Sequence, residues 1–102
     1  MDHHRRRRLE VVVEQALADL VLQAVEAAGA RCWFVAPTLG GRADSGAWRT
    51  GLPAAGLGGV TIVAVGEAAM IDPLAEQLLE QLRDNAAVVL LSDVEVLRPT
   101  HF

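Results

Sequence analysis

The hydropathic period of this chain changes from strand-like to helix-like twice, once on each side of a glycine-rich tract, and that pattern leaves few folds open. Leu9, Val11 and Val13 alternate with Glu10, Val12 and Glu14, the repeat of a strand with unlike faces. Over residues 14–28 the apolar positions Leu17, Leu20, Val21, Ala24, Val25 and Ala28 fall on one helical stripe, with Gln15, Asp19, Gln23 and Glu26 opposite them. Gly29 is placed to end that helix. Residues 31–37 hold the β-favouring cluster Cys32, Trp33, Phe34 and Val35, stopped by Pro37, and residues 60–65 form a third strand of the same kind. Asp72 and Pro73 read as an N-cap and first helical turn, followed by the stripe Leu74, Leu78, Leu79 and Leu82 and a helix end near Asp84. Asn85 turns the chain into a fourth strand over residues 86–91, with a short extended piece over 94–97 before Pro99.

The order β-α-β, long connection, β-α-β is the split βαβ arrangement, an α+β fold of the ferredoxin-like βαββαβ type. In such a fold both helices cover one face of the sheet. The other face would be polar in a monomer, yet the third and fourth strands carry Val60, Ile62, Val63, Val65 and Val88 to Leu91 with little alternation. Both faces are therefore expected to be covered, which points to an oligomer. The 102 residues, 52% of them hydrophobic, suffice for one domain and exclude a second. The longest apolar runs fall far short of the roughly 20 residues that cross a bilayer, and the N-terminus has no apolar segment behind its charges, so a soluble cytoplasmic protein is expected. The lone Cys32 fits a reducing compartment and reads as a packed small hydrophobe.

The net charge of −4 conceals an uneven distribution. There is no lysine, and Arg5 to Arg8 form one run; the body that remains is acidic and would repel a polyanion, so no nucleic-acid partner is expected. Residues 1–7 read as a solvated basic N-terminal arm leading into a domain over residues 8–102. His3 and His4 are too few, and too near a chain end, to argue for a metal, and His101 has no second ligand at useful spacing.

The connection over residues 38–59, with seven glycines, one proline and little periodicity, is too long to be an ordinary linker in so small a domain. Thr38-Leu39-Gly40-Gly41-Arg42 leaves a strand directly, so the two glycines let backbone N–H groups turn inward beside a guanidinium, a cradle for phosphate. Arg49 within the connection and Arg98 near the C-terminus are further cations. Trp48 is a large aromatic placed to meet a partner or to fold back on the domain, whereas Trp33 reads as core or interface packing.

The element order, this connection and the ending Leu91-Ser92-Asp93-Val94-Glu95-Val96-Leu97-Arg98-Pro99-Thr100-His101-Phe102 resemble the PII superfamily, and within it the PII-like proteins associated with carboxysomes and bicarbonate transport. Asp84-Asn85-Ala86-Ala87 stands where that subgroup has an Asp-Asn-Tyr-Ala turn. The resemblance implies a homotrimer whose open sheet faces form the centre, with an adenine nucleotide (ADP or AMP first, ATP or cyclic AMP as alternatives) in clefts between subunits and bicarbonate as a second ligand. It implies a T-loop at about residues 39–59, with Thr38, Leu39, Gly40, Gly41 and Arg42 at its base. Ala86, Ala87 and Arg98 join them as nucleotide-binding positions, and Ser45, Trp48 and Arg49 are contacts of the loop with ligand or partner. No obligatory cofactor and no metal are implied; the protein partner is a bicarbonate transporter or another carbon-concentrating protein. The loop departs from the subgroup's Gly-Ser-Arg-x-Val-Arg-like pattern, keeping scattered elements over residues 41–49, and the absence of tyrosine rules out tyrosine modification.

A regulator rather than an enzyme is expected, since the sequence offers no His or Cys pair and no Ser with a visible base. The competing classes are a nucleotide-hydrolysing enzyme and a structural or metal-tolerance trimer of the same fold, the latter needing ligands where the loop offers Asp44 alone.

Overall fold

The computed structural model describes residues 3–43, 46–49 and 59–98. Strand β1 (His4–Glu14) leads through a single 3-10 turn (Gln15–Leu17) into helix α1 (Ala18–Ala27), and β2 (Cys32–Thr38) follows. Two short strands, β3 (Gly40–Ala43) and β4 (Gly46–Arg49), precede β5 (Gly59–Gly66), helix α2 (Ala68–Gln81) and β6 (Val88–Val96). The main sheet has the order β2-β5-β1-β6, with antiparallel pairing throughout, and β3 and β4 form a separate ribbon. This is the expected α+β arrangement, with β-α-β halves interleaved so that β1 and β5 lie at the centre.

Register determines which residues share a face. Leu9, Val11 and Val13 lie opposite Ala64, Ile62 and Val60, and these six meet Val21 and Val25 of α1 and Ile71, Leu74 and Leu78 of α2 in the main core. Each of the valines, leucines and isoleucines among them contributes roughly 1.5–3 kcal/mol by leaving water. The opposite face has no helix. Val63, Val65 and Val96 are buried there in a smaller cluster with Val94, while Phe34 and Leu90 on the same face are 54% and 51% exposed.

Gly29 ends α1 as expected, with φ +87°. Its N–H donates to the Glu26 carbonyl at 3.0 Å and that of Ala30 to Val25 at 3.4 Å, the two bonds of a Schellman motif.

Four sequence-based boundaries move. The arginine run is not an arm: β1 begins at His4, so Arg5 to Arg8 lie inside the strand, paired with β6 and, for Arg7 and Arg8, with β5. Three of these arginines are ion-paired, Arg6 with Glu67, Arg7 with Asp72 and Asp93, and Arg8 with Glu10. Asp72 and Pro73 are not the start of the second helix. It opens at Ala68, where Met70 and Ile71 donate to the Glu67 carbonyl at 3.0 and 2.9 Å, and Pro73 sits inside, its ring forgoing one bond of the ladder. The last two extended pieces are one strand, because Ser92 and Asp93 stay in register opposite Arg8 and Arg7. Part of the glycine-rich connection is ordered as the β3-β4 ribbon, where Gly40 pairs with Arg49 and Gly41 with Trp48.

Candidate functional site

β2 is an edge strand, and its last residue, Thr38, lies opposite Gly59, the first of β5. The connection thus leaves and re-enters the sheet at one point. Thr38 and Thr61, neighbours on the helix-free face, are joined by a hydroxyl hydrogen bond of 2.5 Å that ties this root together. Beyond it Leu39 is 70% exposed, and Gly40, Gly41 and Arg42 are exposed on β3. In a two-stranded ribbon each strand has a partner on one side only, so alternate N–H groups of β3 point outward on the strand that also carries the exposed Arg42. Backbone donors and a fixed cation next to one another suit a phosphate or carboxylate.

The predicted positions divide into three groups. Thr38, Leu39, Gly40, Gly41 and Arg42 are contiguous at the root, with the backbone of Trp48 and Arg49 across the ribbon; Ser45 lies outside the described residues. Ala86 is exposed and Ala87 packs on the margin of the core, both just before β6. Val88 pairs with Val12 and Gly59 with Glu14, so these alanines and the loop root occupy the same end of the sheet. They occupy opposite edges, however, three strand spacings or roughly 14 Å apart. Arg98 follows β6 at its other end. One chain therefore does not gather the three groups into one cleft.

The structure also shows an ion-pair centre that sequence reading missed. Arg7 donates from Nε to Asp72 at 2.9 Å and from Nη1 to Asp93 at 3.0 Å, joining β1, α2 and β6. The hydrogen bond that Arg7 donates to Asp72, opposed by partial desolvation and helped by Asp93, holds the guanidinium above its ordinary pKa. Nearby, His3 meets Glu95 and holds that carboxyl below its ordinary pKa through their hydrogen bond. The signal was the parity of β1: extending the alternation of Leu9 and Val11 backward puts Arg7 on the helix-covered face.

The chain is thus an open-faced α+β domain with an exposed Gly-Gly-Arg loop root at one sheet edge and a small-residue turn at the other. The sequence model of the nitrogen regulatory protein P-II family matches residues 6–101, and the chain belongs to that family. Among solved structures it is similar to CPII, a nitrogen regulatory PII-like protein from Thiomonas intermedia K12 bound to ADP, AMP and bicarbonate, with 20% identity, a TM-score of 0.86 and 99% of this chain and 96% of that one covered. A putative PII-like signaling protein from Thermus thermophilus follows at 16% identity and TM-score 0.79, covering 100% and 99%. CutA from Synechococcus elongatus PCC7942 is more distant, at 18% identity and TM-score 0.65, covering 94% and 89%. A search of curated proteins gives no significant match. No helix among the described residues is long and apolar enough to cross a membrane.

Proposed function

We propose that this chain is a PII-like regulator that binds an adenine nucleotide, ADP or AMP first, between the subunits of a cytoplasmic homotrimer, with bicarbonate as a second ligand, and reports occupancy through the T-loop. The observation that carries this reading is the division of the predicted site between two sheet edges at the same end. A second chain docked at the edge supplies the half that one chain lacks, and Arg98 enters only if a neighbour brings it. The CPII structure bound to ADP, AMP and bicarbonate supports the choice of ligands.

The mechanism is a shift of population. Thr38 and Gly59 form a fixed root, and the connection between them carries enough glycine to adopt several paths. Phosphate held by Gly40, Gly41 and Arg42 favours the paths in which Arg42, with Ser45, Trp48 and Arg49 beyond it, face the ligand, and a partner reads the path selected. That partner is a bicarbonate transporter or another protein of inorganic-carbon metabolism. The role proposed is regulatory: Gly40, Gly41 and Arg42 would hold a phosphate through backbone N–H groups and a guanidinium, donors that keep their protons at neutral pH.

Calorimetric titration with ADP, AMP, ATP and cyclic AMP, each with and without bicarbonate, tests this. ADP or AMP should bind, and bicarbonate should raise the affinity. Arg42→Ala should weaken binding about tenfold or more, the loss of one charge-assisted contact of ~1.5–3 kcal/mol. Binding of none of the four nucleotides would remove the sensor reading, and steady phosphate release abolished by Arg42→Ala would replace it with hydrolysis.

A further inference from the structure

Past the end of β5 the sheet narrows to two strands. The last pair between β1 and β5 is Arg7 with Gly66, whereas β1 and β6 stay paired further on, Arg6 with Val94, Arg5 with Glu95 and His4 with Val96. These residues form a short two-stranded overhang, and Leu97 and Arg98 leave from its tip, both exposed. A ribbon of two strands is marginally stable by itself in water, so the direction of the overhang depends on what holds its base.

Its two faces are held differently. On the helix-free face Val94 and Val96 pack with Val63 and Val65 of β5. On the helix-covered face the overhang presents Arg5 and Glu95, both exposed, and the tie to α2 is made by Arg7 at its base. The Arg7 guanidinium holds two carboxylates from two elements, Asp72 of α2 by Nε at 2.9 Å and Asp93 of β6 by Nη1 at 3.0 Å. A planar guanidinium fixes the spacing between them. A lysine would not, since an ammonium on a flexible stem has no fixed directions for its donors. Arg6 makes a second tie, its Nη2 3.4 Å from Glu67, the residue between β5 and α2. Arg98, by contrast, has no ion-pair partner among the described residues.

We propose that Arg7 is a positioning residue for Arg98: through Asp93 it fixes the base of the overhang against α2, and the overhang carries the unpaired Arg98 to the phosphate of a bound nucleotide. The inference rests on the nucleotide reading and adds to it a residue that touches no ligand. Its physical content is entropic. An arginine at a frayed strand end must be ordered when it binds an anion, whereas at the end of a braced strand much of that ordering is complete on folding.

Two measurements on the full chain test this. In amide hydrogen exchange followed by NMR, Arg7→Lys and Asp93→Asn should each speed exchange of the paired amides of residues 4–6 and 94–96 about fivefold or more, with the middle of β1 and β5 unchanged. In calorimetric titration Arg98→Ala should weaken ADP binding about tenfold. Arg7→Lys and Asp93→Asn should each weaken it about fivefold in the native background and not at all in the Arg98→Ala background, because two residues acting on one contact are not additive. A purely structural part for Arg7 would weaken ADP equally in both backgrounds, and that result overturns the proposal. Unchanged exchange in the overhang overturns it too, as does an ADP affinity indifferent to Arg98→Ala; in each of these cases the nucleotide reading stands. Asp93→Asn cuts half of the fork at an exposed carboxylate, so it decides the matter if Arg7→Lys fails to fold. A native chain that binds no ADP would remove the nucleotide reading and with it the role of Arg98.

Discussion

Gly29 and Gly66 are both glycines next to packed helices, but they serve for different reasons. At Gly29 an added Cβ would meet nothing within 4 Å, so space is not the constraint; the left-handed φ of +87° is. At Gly66 the backbone is unremarkable, and the added Cβ would collide with Met70 Cε, the tip of a side chain that can swing aside. Gly29→Ala should therefore cost about 1 kcal/mol and Gly29→Asn less, since asparagine tolerates this conformation. Equilibrium urea unfolding measures both, and equal stability of Gly29→Ala and the native chain would show that the Schellman turn is not what holds the helix end. Gly29 was legible from its place after an apolar stripe. Arg7 was not, because a run of four like charges hides the alternation that sends every second one to the helix-covered side.

At the level of elements, the apolar periods of β1 and α1 were readable because each has one dominant contact surface, and β5 was readable as a nearly unbroken apolar run because it is buried on both faces. The start of α2 was misplaced because Asp72-Pro73 is a strong local signal that tertiary context overrides: β5 ends at Gly66 and the chain turns at once to cover the sheet, so a full turn precedes the proline. The unity of β6 was obscured by Ser92 and Asp93, polar residues whose partners, Arg8 and Arg7, are remote in sequence. The loop root was legible as a motif, whereas its separation from Ala86 and Ala87 follows from strand order alone. Within α2 adjacent leucines have opposite surroundings, Leu78 fully buried and Leu79 63% exposed. Leu78→Ala should cost ~2–5 kcal/mol through lost burial and the cavity left, and Leu79→Ala less than about 0.5 kcal/mol. Paired denaturation curves check this, and similar costs for the two would mean that the outer surface of α2 is itself covered in the native assembly.

For the whole molecule, the decisive question is whether the nucleotide site belongs to a chain or to a contact between chains. Strand order places the loop root on β2 and the Ala86-Ala87 turn before β6 on opposite edges, and the helix-free face leaves Phe34 and Leu90 uncovered beside them. If ADP binds where two chains meet, binding and assembly are linked, and each must strengthen the other by the same factor. The apparent affinity for ADP should then rise with protein concentration through the range in which chains associate and become constant above it, while saturating ADP should lower the concentration needed for assembly. Phe34→Asp puts a charge on the helix-free face and touches neither the loop root nor the main core. It should shift the chain to monomers and weaken ADP binding at least tenfold at concentrations where the native chain is assembled, with the far-UV spectrum unchanged. Fluorescence-detected sedimentation across a dilution series, with and without ADP, measures both sides of this linkage. An ADP affinity independent of protein concentration and untouched by Phe34→Asp would place the whole site within one chain, at the root of the loop, and would detach ligand binding from assembly altogether.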